Sequence, residues 1–166
     1  MRKEKKEELE NIIDEFKTIK LTKLDSPSKF ITSEVYSCEL NNGKKITREK
    51  LIKNNSEGSA AVVLPDTKDN NVVLTVEPSV FSKRSVGIGI PAGYIEPGEQ
   101  AYMAALRELE EETGYVSREL ISLGGFYQDM GCSSAYNELF IALNSEKSKE
   151  QNLDPGEYIK FFECTF

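Results

Sequence analysis

A single well-marked helix between apolar, strand-like runs is the feature that most constrains how this chain can fold. The helix is the segment QAYMAALRELEEET, residues 100–113, and Gly114 follows it where glycine commonly ends a helix. Two apolar runs precede it, SAAVVLP and NVVLTVEP, joined by turn-forming residues 66–71. Further strands are predicted near residues 120–127, at NELFIAL and at EYIKFFECTF. Strands interleaved with one helix in this order predict an α/β fold around a mixed sheet.

The last turns of this helix carry an unusual amount of negative charge. The stretch RELEEETGY places four glutamates in the five positions 108–112, although carboxylates are unfavourable at the negative end of a helix dipole. At about 100° per residue, Glu108, Glu111 and Glu112 fall within an arc of roughly 100°. Natural sequences break local rules of this kind mainly at functional sites. The pattern indicates either a solvated acidic face or a bound cation, and among cations hard divalent ions such as Mg²⁺ prefer oxygen ligands.

The segment VGIGIPAGYIEPGE, directly before the helix, is rich in glycine and proline. Gly93 and Gly98 carry no side chain, so the backbone can approach the acidic cluster closely. Backbone carbonyl oxygens are therefore candidate ligands of the same cation.

Composition narrows the chemistry further. The chain has 166 residues, 39% of them hydrophobic, and a net charge of −7, which is typical of one globular domain and argues against a nonspecific nucleic-acid binder. It contains no apolar run of transmembrane length, and its charged start MRKEKKEELE does not resemble a signal peptide, so a cytoplasmic protein is expected. Three widely spaced cysteines predict reduced thiols. Since there is no histidine, carboxylates are the expected acids, bases and metal ligands.

The N-terminal part is predicted to be a separate extension. Residues 3–20 have the periodicity of an amphipathic helix that packs on the body or on a partner subunit. The runs FITSEVYSCEL and KKITREKLI flank Asn-Asn-Gly, which indicates a β-hairpin. We expect residues 1–55 to form this helix and hairpin, and residues 56–166 to form the main domain. A polar stretch at residues 144–156 is predicted to be a mobile loop.

The acidic helix belongs to a longer pattern. In this pattern, five residues separate Gly93 from Glu99, and seven more precede the stretch RELEEETG. The pattern resembles the Nudix hydrolase signature at every fixed charged and glycine position. Tyr115 departs from it, since the family usually has an aliphatic residue there. The flanking stretches IPAGYIEPGE and FYQDMGCSSAYNELFIAL resemble the ADP-ribose and nucleotide-sugar pyrophosphatase branch.

This resemblance implies a Nudix-type α/β/α sandwich and an enzyme that depends on Mg²⁺ or Mn²⁺. The expected reaction is hydrolysis of a nucleoside diphosphate linked to another moiety, with ADP-ribose or a nucleotide sugar as the best candidate substrate. Two alternatives are a nucleoside triphosphate pyrophosphohydrolase and a noncatalytic nucleotide-sugar sensor. Related pyrophosphatases pair through an N-terminal β unit, so the resemblance also implies a homodimer. No nucleic-acid or membrane partner is expected.

The resemblance also assigns roles by motif position. It implies that Arg107 orients the carboxylates and that Glu99 lies in the outer metal shell. The implied metal ligands are the carboxylates of Glu108, Glu111 and Glu112 and the backbone carbonyl of Ala92 or Gly93.

The general base is not identified by the signature. Glu157 is the first candidate, because the branch carries its base on a late acidic loop, Asp154 is the second, and Glu99 is the third, as an acid beside the metal. Lys83 and Arg84 are candidate contacts to substrate phosphate or ribose, and Tyr127 is a candidate to stack on a base. Ordinary solvated or core side chains are the alternative at each of these positions.

Overall fold

The computed structural model describes residues 3–28, 30–53 and 56–165. Two helices and ten strands follow one another along the chain. Their bounds are α1 Lys3–Phe16, β1 Ile31–Glu39, β2 Lys45–Lys53, β3 Ala60–Thr67, β4 Asn71–Pro78, β5 Val86–Gly89, β6 Ala92–Tyr94, α2 Ala101–Thr113, β7 Tyr115–Val116, β8 Glu119–Tyr127, β9 Tyr136–Lys147 and β10 Lys160–Thr165.

The main sheet is mixed, as the sequence predicts. Strand β3 pairs with β9 in parallel and with β4 and β6 in antiparallel orientation. Strand β10 extends the sheet beyond β4, β5 also pairs with β4, and β7 and β8 pair with β9. Strand β3 is buried on both faces or nearly so, in keeping with its central place in the sheet.

Helix α2 lies across one face of this sheet. Its small residues Ala104 and Ala105 and its Leu109 are fully buried in one cluster with Val63 and Phe140 of the sheet. Gln100 is the residue before the first turn, and Gly114 adopts the left-handed conformation at φ 68° with its N–H bonded to the carbonyl of Glu110 at 2.7 Å. The predicted helix and its glycine stop are both confirmed.

Helix α1 covers the opposite face. Phe161 packs with the α2 cluster, whereas the adjacent Phe162 has the ammonium group of Lys5, from α1, over its ring. Because adjacent residues of a strand point to opposite faces, the two helices enclose the sheet as an α/β/α sandwich. The predicted packing of the N-terminal helix on the body is confirmed, but the helix ends at Phe16 rather than at residue 20.

The predicted hairpin is also present. Strands β1 and β2 form their own two-stranded antiparallel sheet, from Ile31 opposite Lys53 to Glu39 opposite Lys45. Gly43 occupies the turn at φ 80°, a conformation that favours glycine. The end of β2 is attached to the body by the N–H of Leu51, which donates to a carbonyl of the segment between β8 and β9.

The predicted loop at residues 144–156 is partly wrong. Residues 144–147 belong to β9, where Glu146 and Lys147 pair with β7. Ser145 is buried, whereas the side chains of residues 144, 146 and 147 are exposed, so composition alone does not separate this segment from a loop. The short strands β5, β6 and β7 were not predicted, because two to four residues carry too little periodicity. The predicted final strand begins at Lys160.

Two composition-based expectations can be compared with the fold. Cys38, Cys132 and Cys164 are free thiols, each half-buried, as predicted. In the described part of the chain, neither helix has the length and apolar character needed to cross a membrane.

Candidate active site

The acidic face of α2 packs against strand β6, and Gly93 lies where they meet. A side-chain carbon added at Gly93 would collide with the carboxylate of Glu108. This close approach explains why Glu108 and Glu112 are 7% and 5% exposed, although sequence periodicity places them on a face opposite the core. The two glutamates are therefore buried charges, which need compensation from opposite charges or hydrogen bonds.

Arg107 compensates one side of the cluster. Its Nε and Nη2 donate to the two carboxylate oxygens of Glu99, each at 3.0 Å. Its Nη1 donates to Glu108 and, at 3.1 Å, to Glu111, and Nη2 also reaches the carbonyl of Tyr94. We call these four charged residues, Arg107, Glu99, Glu108 and Glu111, the arginine side.

The pKa values of the arginine side reflect this pairing. The hydrogen bonds from Arg107 hold the pKa of Glu99 below its usual value, and the same contacts raise the pKa of Arg107. Burial raises the pKa of Glu108, although the charge and hydrogen bond of Arg107 oppose this effect. The guanidinium thus favours the ionised forms of Glu99 and Glu108, although burial has the larger effect at Glu108.

Glu112 lies on the other side and has no such partner. Its Oε2 accepts a hydrogen bond from the backbone N–H of Ala92 at 3.3 Å, and no ion pair joins it to a cation anywhere in the described ranges. Burial, followed by repulsion from Glu108, Glu157 and Glu77, raises the pKa of Glu112 to about 8. We call Glu112, Glu157 and Glu77 the Glu112 side.

Two cavities open onto these two sides. A cavity of about 260 Å³ is lined by Glu77, Pro78, Ala92, Glu112 and residues 156–159. A second one of about 600 Å³ is lined by Ser56, residues 92–97, Arg107, Glu108, Asp154 and Glu157. Ala92 and Glu157 line both cavities, so Glu157 stands at the border between the arginine side and the Glu112 side.

Glu77 is the site residue that sequence reasoning missed. It lies near the end of β4, and repulsion from Glu157, after burial, raises its pKa. The signal in the sequence is a carboxylate that follows the apolar run of NVVLTVEP. That signal is weak, because the pairing of β4 with β5 and β10 is what brings Glu77 beside the helix.

Three predicted substrate contacts lie away from both cavities. Lys83 and Arg84 are exposed on the turn between β4 and β5. Tyr127, at the end of β8, is 53% exposed and packs edge-on against Tyr136 with ring centroids 5.1 Å apart. None of the three lines either cavity.

The donors at this site fit a hard divalent cation in chemical type. Carboxylate oxygens of Glu108, Glu111 and Glu112 share one helix face, and Glu112 is a buried carboxylate without a cation. These groups do not form a closed set of ligands: within residues 3–28, 30–53 and 56–165, no three acidic or cysteine side chains are grouped as a metal site. Glu108 and Glu111 instead hydrogen-bond with Arg107.

Comparison with known proteins identifies the family of the chain. The NUDIX domain family model matches residues 56–165. ADP-ribose pyrophosphatase from Bacillus subtilis (strain 168) is 34% identical over 138 residues, which cover 82% of this chain and 72% of that protein. The methanol dehydrogenase activator of Bacillus methanolicus is 32% identical over 152 residues, covering 91% of this chain and 79% of that protein.

A solved structure agrees as well. The crystal structure of an ADP compounds hydrolase superposes with a TM-score of 0.69 at 26% sequence identity, covering 84% of this chain and 73% of that one. The chain therefore belongs to the NUDIX domain family. Within that family it is a Nudix hydrolase that resembles ADP-ribose pyrophosphatases.

Proposed function

We propose that this Nudix hydrolase cleaves the diphosphate linkage of a nucleoside diphosphate joined to another moiety. ADP-ribose or a nucleotide sugar is the preferred substrate, and the products are a nucleoside monophosphate and a sugar phosphate. The observation that carries the proposal is Glu112, a buried carboxylate without a cationic partner at the edge of a cavity, next to a guanidinium that already compensates its neighbours. The similarity to ADP-ribose pyrophosphatase supports the substrate class.

The acidic cluster is proposed to hold Mg²⁺ or Mn²⁺. Glu108, Glu111 and Glu112 would supply carboxylate oxygens, and Ala92 or Gly93 a carbonyl oxygen. When bound, the metal neutralises diphosphate oxygens and activates water. Arg107 fixes the orientation of Glu108 and Glu111, because its planar fork donates hydrogen bonds to both. Glu99 in turn fixes the guanidinium with two parallel hydrogen bonds.

Glu157 is proposed as the general base. As water attacks phosphorus and the bond from phosphorus to the bridging oxygen breaks, the carboxylate of Glu157 accepts the water proton. Its place at the border of the two cavities supports this role. Asp154 is the second candidate and lines the larger cavity. Glu99 is poorly suited, because the pKa lowered by Arg107 makes it a weak base.

Other features of the function are extensions of this proposal. Lys83 and Arg84 are proposed to contact substrate phosphate or ribose from the turn after Pro78, which lines the smaller cavity. Tyr127 is proposed to stack on the base.

We also propose a cytoplasmic homodimer that pairs through residues 30–52, of which Val35 is 69% exposed and Tyr36 46% exposed. Sedimentation showing a monomer at micromolar concentration would contradict the dimer.

The activity is tested by one substrate screen. Nucleotide sugars, dinucleotides and nucleoside triphosphates are incubated with the protein and Mg²⁺ or Mn²⁺, and released monophosphate is measured with and without excess chelator. We expect monophosphate from a diphosphate-linked nucleotide and none in chelator. Release of pyrophosphate from triphosphates instead would favour the triphosphate alternative, and the absence of any product would favour a noncatalytic sensor.

A second candidate function rests on the relative that this chain matches over 91% of its length, the methanol dehydrogenase activator. By that similarity the chain could stimulate a dehydrogenase. The test is the rate of a methanol dehydrogenase with and without the purified protein. A rise that survives Glu112→Gln would separate stimulation from hydrolysis.

A further inference from the structure

The segment after β9 is fastened to the C-terminal end of α2. The N–H groups of Ser148 and Lys149 donate to the carbonyl of Gly114 at 3.0 and 3.1 Å, and the N–H of Asn152 donates to the carbonyl of Glu111 at 2.9 Å. The Nζ of Lys147 donates to the carbonyl of Thr113 at 2.9 Å. These donors satisfy carbonyl groups that every helix end leaves unpaired.

Gln151 differs from these donors because it reaches in two directions. Its Nε2 donates to the carbonyl of Glu112 in the last turn of α2 and, at 3.1 Å, to the carbonyl of Ile159. Both partners are acceptors only, so the amide must present its NH₂ group to them. Gln151 is half-buried and Ile159 is 8% exposed, so water competes little for these bonds.

These two bonds close the base of a loop that carries Asp154 and Glu157. Inside the loop, the N–H of Asp154 donates to the carboxylate of Glu157 at 2.9 Å, and the N–H of Glu157 donates to the carbonyl of Asp154 at 3.0 Å. Such local bonds shape the loop itself. At the base of the loop, the N–H of Asn152 and the amide of Gln151 join the loop to α2, and only Gln151 also bonds the far end of the loop at Ile159.

We propose that Gln151 is a positioning residue, whose amide holds the loop of residues 151–159 against α2 and so keeps Glu157 at the border between the two cavities. The inference rests on the proposed function, in which Glu157 accepts a proton. A displacement of about 1 Å at a reacting group can cost on the order of 10²-fold in rate. Loss of the Gln151 contacts should therefore slow turnover, while substrate affinity stays nearly constant.

The chain offers a matched control for the competing explanation, that Gln151 only caps the helix. Lys147 also caps the last turn of α2, through Thr113, but its ammonium group lies over the ring of Phe161 in β10 and forms no described hydrogen bond with residues 151–159. Lys147→Met should lower the free energy of unfolding without slowing turnover. Gln151→Glu keeps the size of the side chain but turns the donor into an acceptor, and Gln151→Lys restores a donor.

The first arm of the experiment is kinetic. With the best substrate found, Gln151→Glu should lower kcat about tenfold or more with KM within about twofold, and Gln151→Lys should recover part of that loss. In a Glu157→Gln background, Gln151→Glu should add little, because the group that it positions has been removed. Additive losses, or an equal loss of kcat in Lys147→Met, would overturn the proposal.

The second arm does not depend on activity. Amide hydrogen exchange at Asn152 and Glu157 should become faster in Gln151→Glu, while exchange in β3 stays unchanged. Unchanged exchange at both amides would overturn the proposal, even with a protein that hydrolyses nothing. If wild type hydrolyses no substrate but Gln151→Glu speeds exchange as expected, Gln151 still holds the loop against α2. The proposed function would then be rejected, and with it the catalytic role of Gln151.

Discussion

The arginine side and the Glu112 side meet along helix α2, yet their charges are compensated differently. On the arginine side, one guanidinium bonds Glu99, Glu108 and Glu111, and the pKa of Glu99 is lowered. On the Glu112 side, burial and repulsion raise the pKa of Glu112 to about 8. The difference shows that the protein alone neutralises only part of the cluster. A divalent cation would supply the charge that the Glu112 side lacks.

The largest effect is expected where compensation is missing. Glu112→Gln should lower kcat by at least about two orders of magnitude, because it removes a proposed metal ligand, and the fold should persist because repulsion within the cluster falls. Steady-state kinetics and thermal unfolding measure the two effects. Glu110→Gln is the matched control: the same change is made in the same turn, but the side chain pairs with Lys149 outside the site. Full turnover by Glu112→Gln, or by wild type in excess chelator, would show that the Glu112 side needs no cation.

The second-largest effect is expected for Glu157, which lines both cavities. Glu157→Gln should lower kcat by about 10² or more, the usual scale for loss of a general base, while metal affinity changes little. Metal titration of turnover separates the two quantities. If Glu157→Gln and Asp154→Asn both keep wild-type turnover, the loop carries no base, and the base must be sought between Gly93 and Gly114, where Glu99 is the third candidate.

A smaller effect is expected on the arginine side, where the charge can be kept and the geometry changed. Arg107→Lys should lower kcat by on the order of tenfold, because an ammonium group cannot bond Glu99 through two parallel N–H groups and also reach Glu108 and Glu111. Comparison of Arg107→Lys with Arg107→Met, by kinetics and by unfolding, separates geometry from charge. Equal values for wild type and Arg107→Lys would show that only the charge matters.

The smallest effect is a pH dependence of stability without divalent ions. Because the pKa of Glu112 is raised from 4.5 to about 8, the folded state binds more protons than the unfolded state between these values. The free energy of unfolding should therefore fall as pH rises from about 4.5 to about 8, by on the order of 1 kcal/mol or more. Denaturant titrations in chelator measure it. Glu112→Gln should reduce the slope of the free energy of unfolding against pH. If the slope is unchanged in Glu112→Gln, the pH dependence belongs to another group.

Local sequence patterns were sufficient for the helices, the longer strands and the position of the acidic cluster. Helix α2 and its end at Gly114, the turn at Gly43 and the alternating strands β3 and β4 follow from propensity and periodicity within a few residues. The spacing from Gly93 to Gly114 identified the family in the same way. Short strands and the polar end of β9 were missed, because their partners rather than their residues make them strands.

Tertiary structure decided how the cluster is compensated, because that depends on residues far apart in the chain. Gly93 lies beneath Glu108 only because β6 pairs with β3 under α2. Glu77 and Glu157 come near Glu112 from β4 and from the segment before β10, which pairs with β4. The sequence alone determined that α2 carries an excess of negative charge near its end. Which of those charges are paired with a cation, and which remain buried without one, follows from long-range packing, since burial and the distance between charges set their energies.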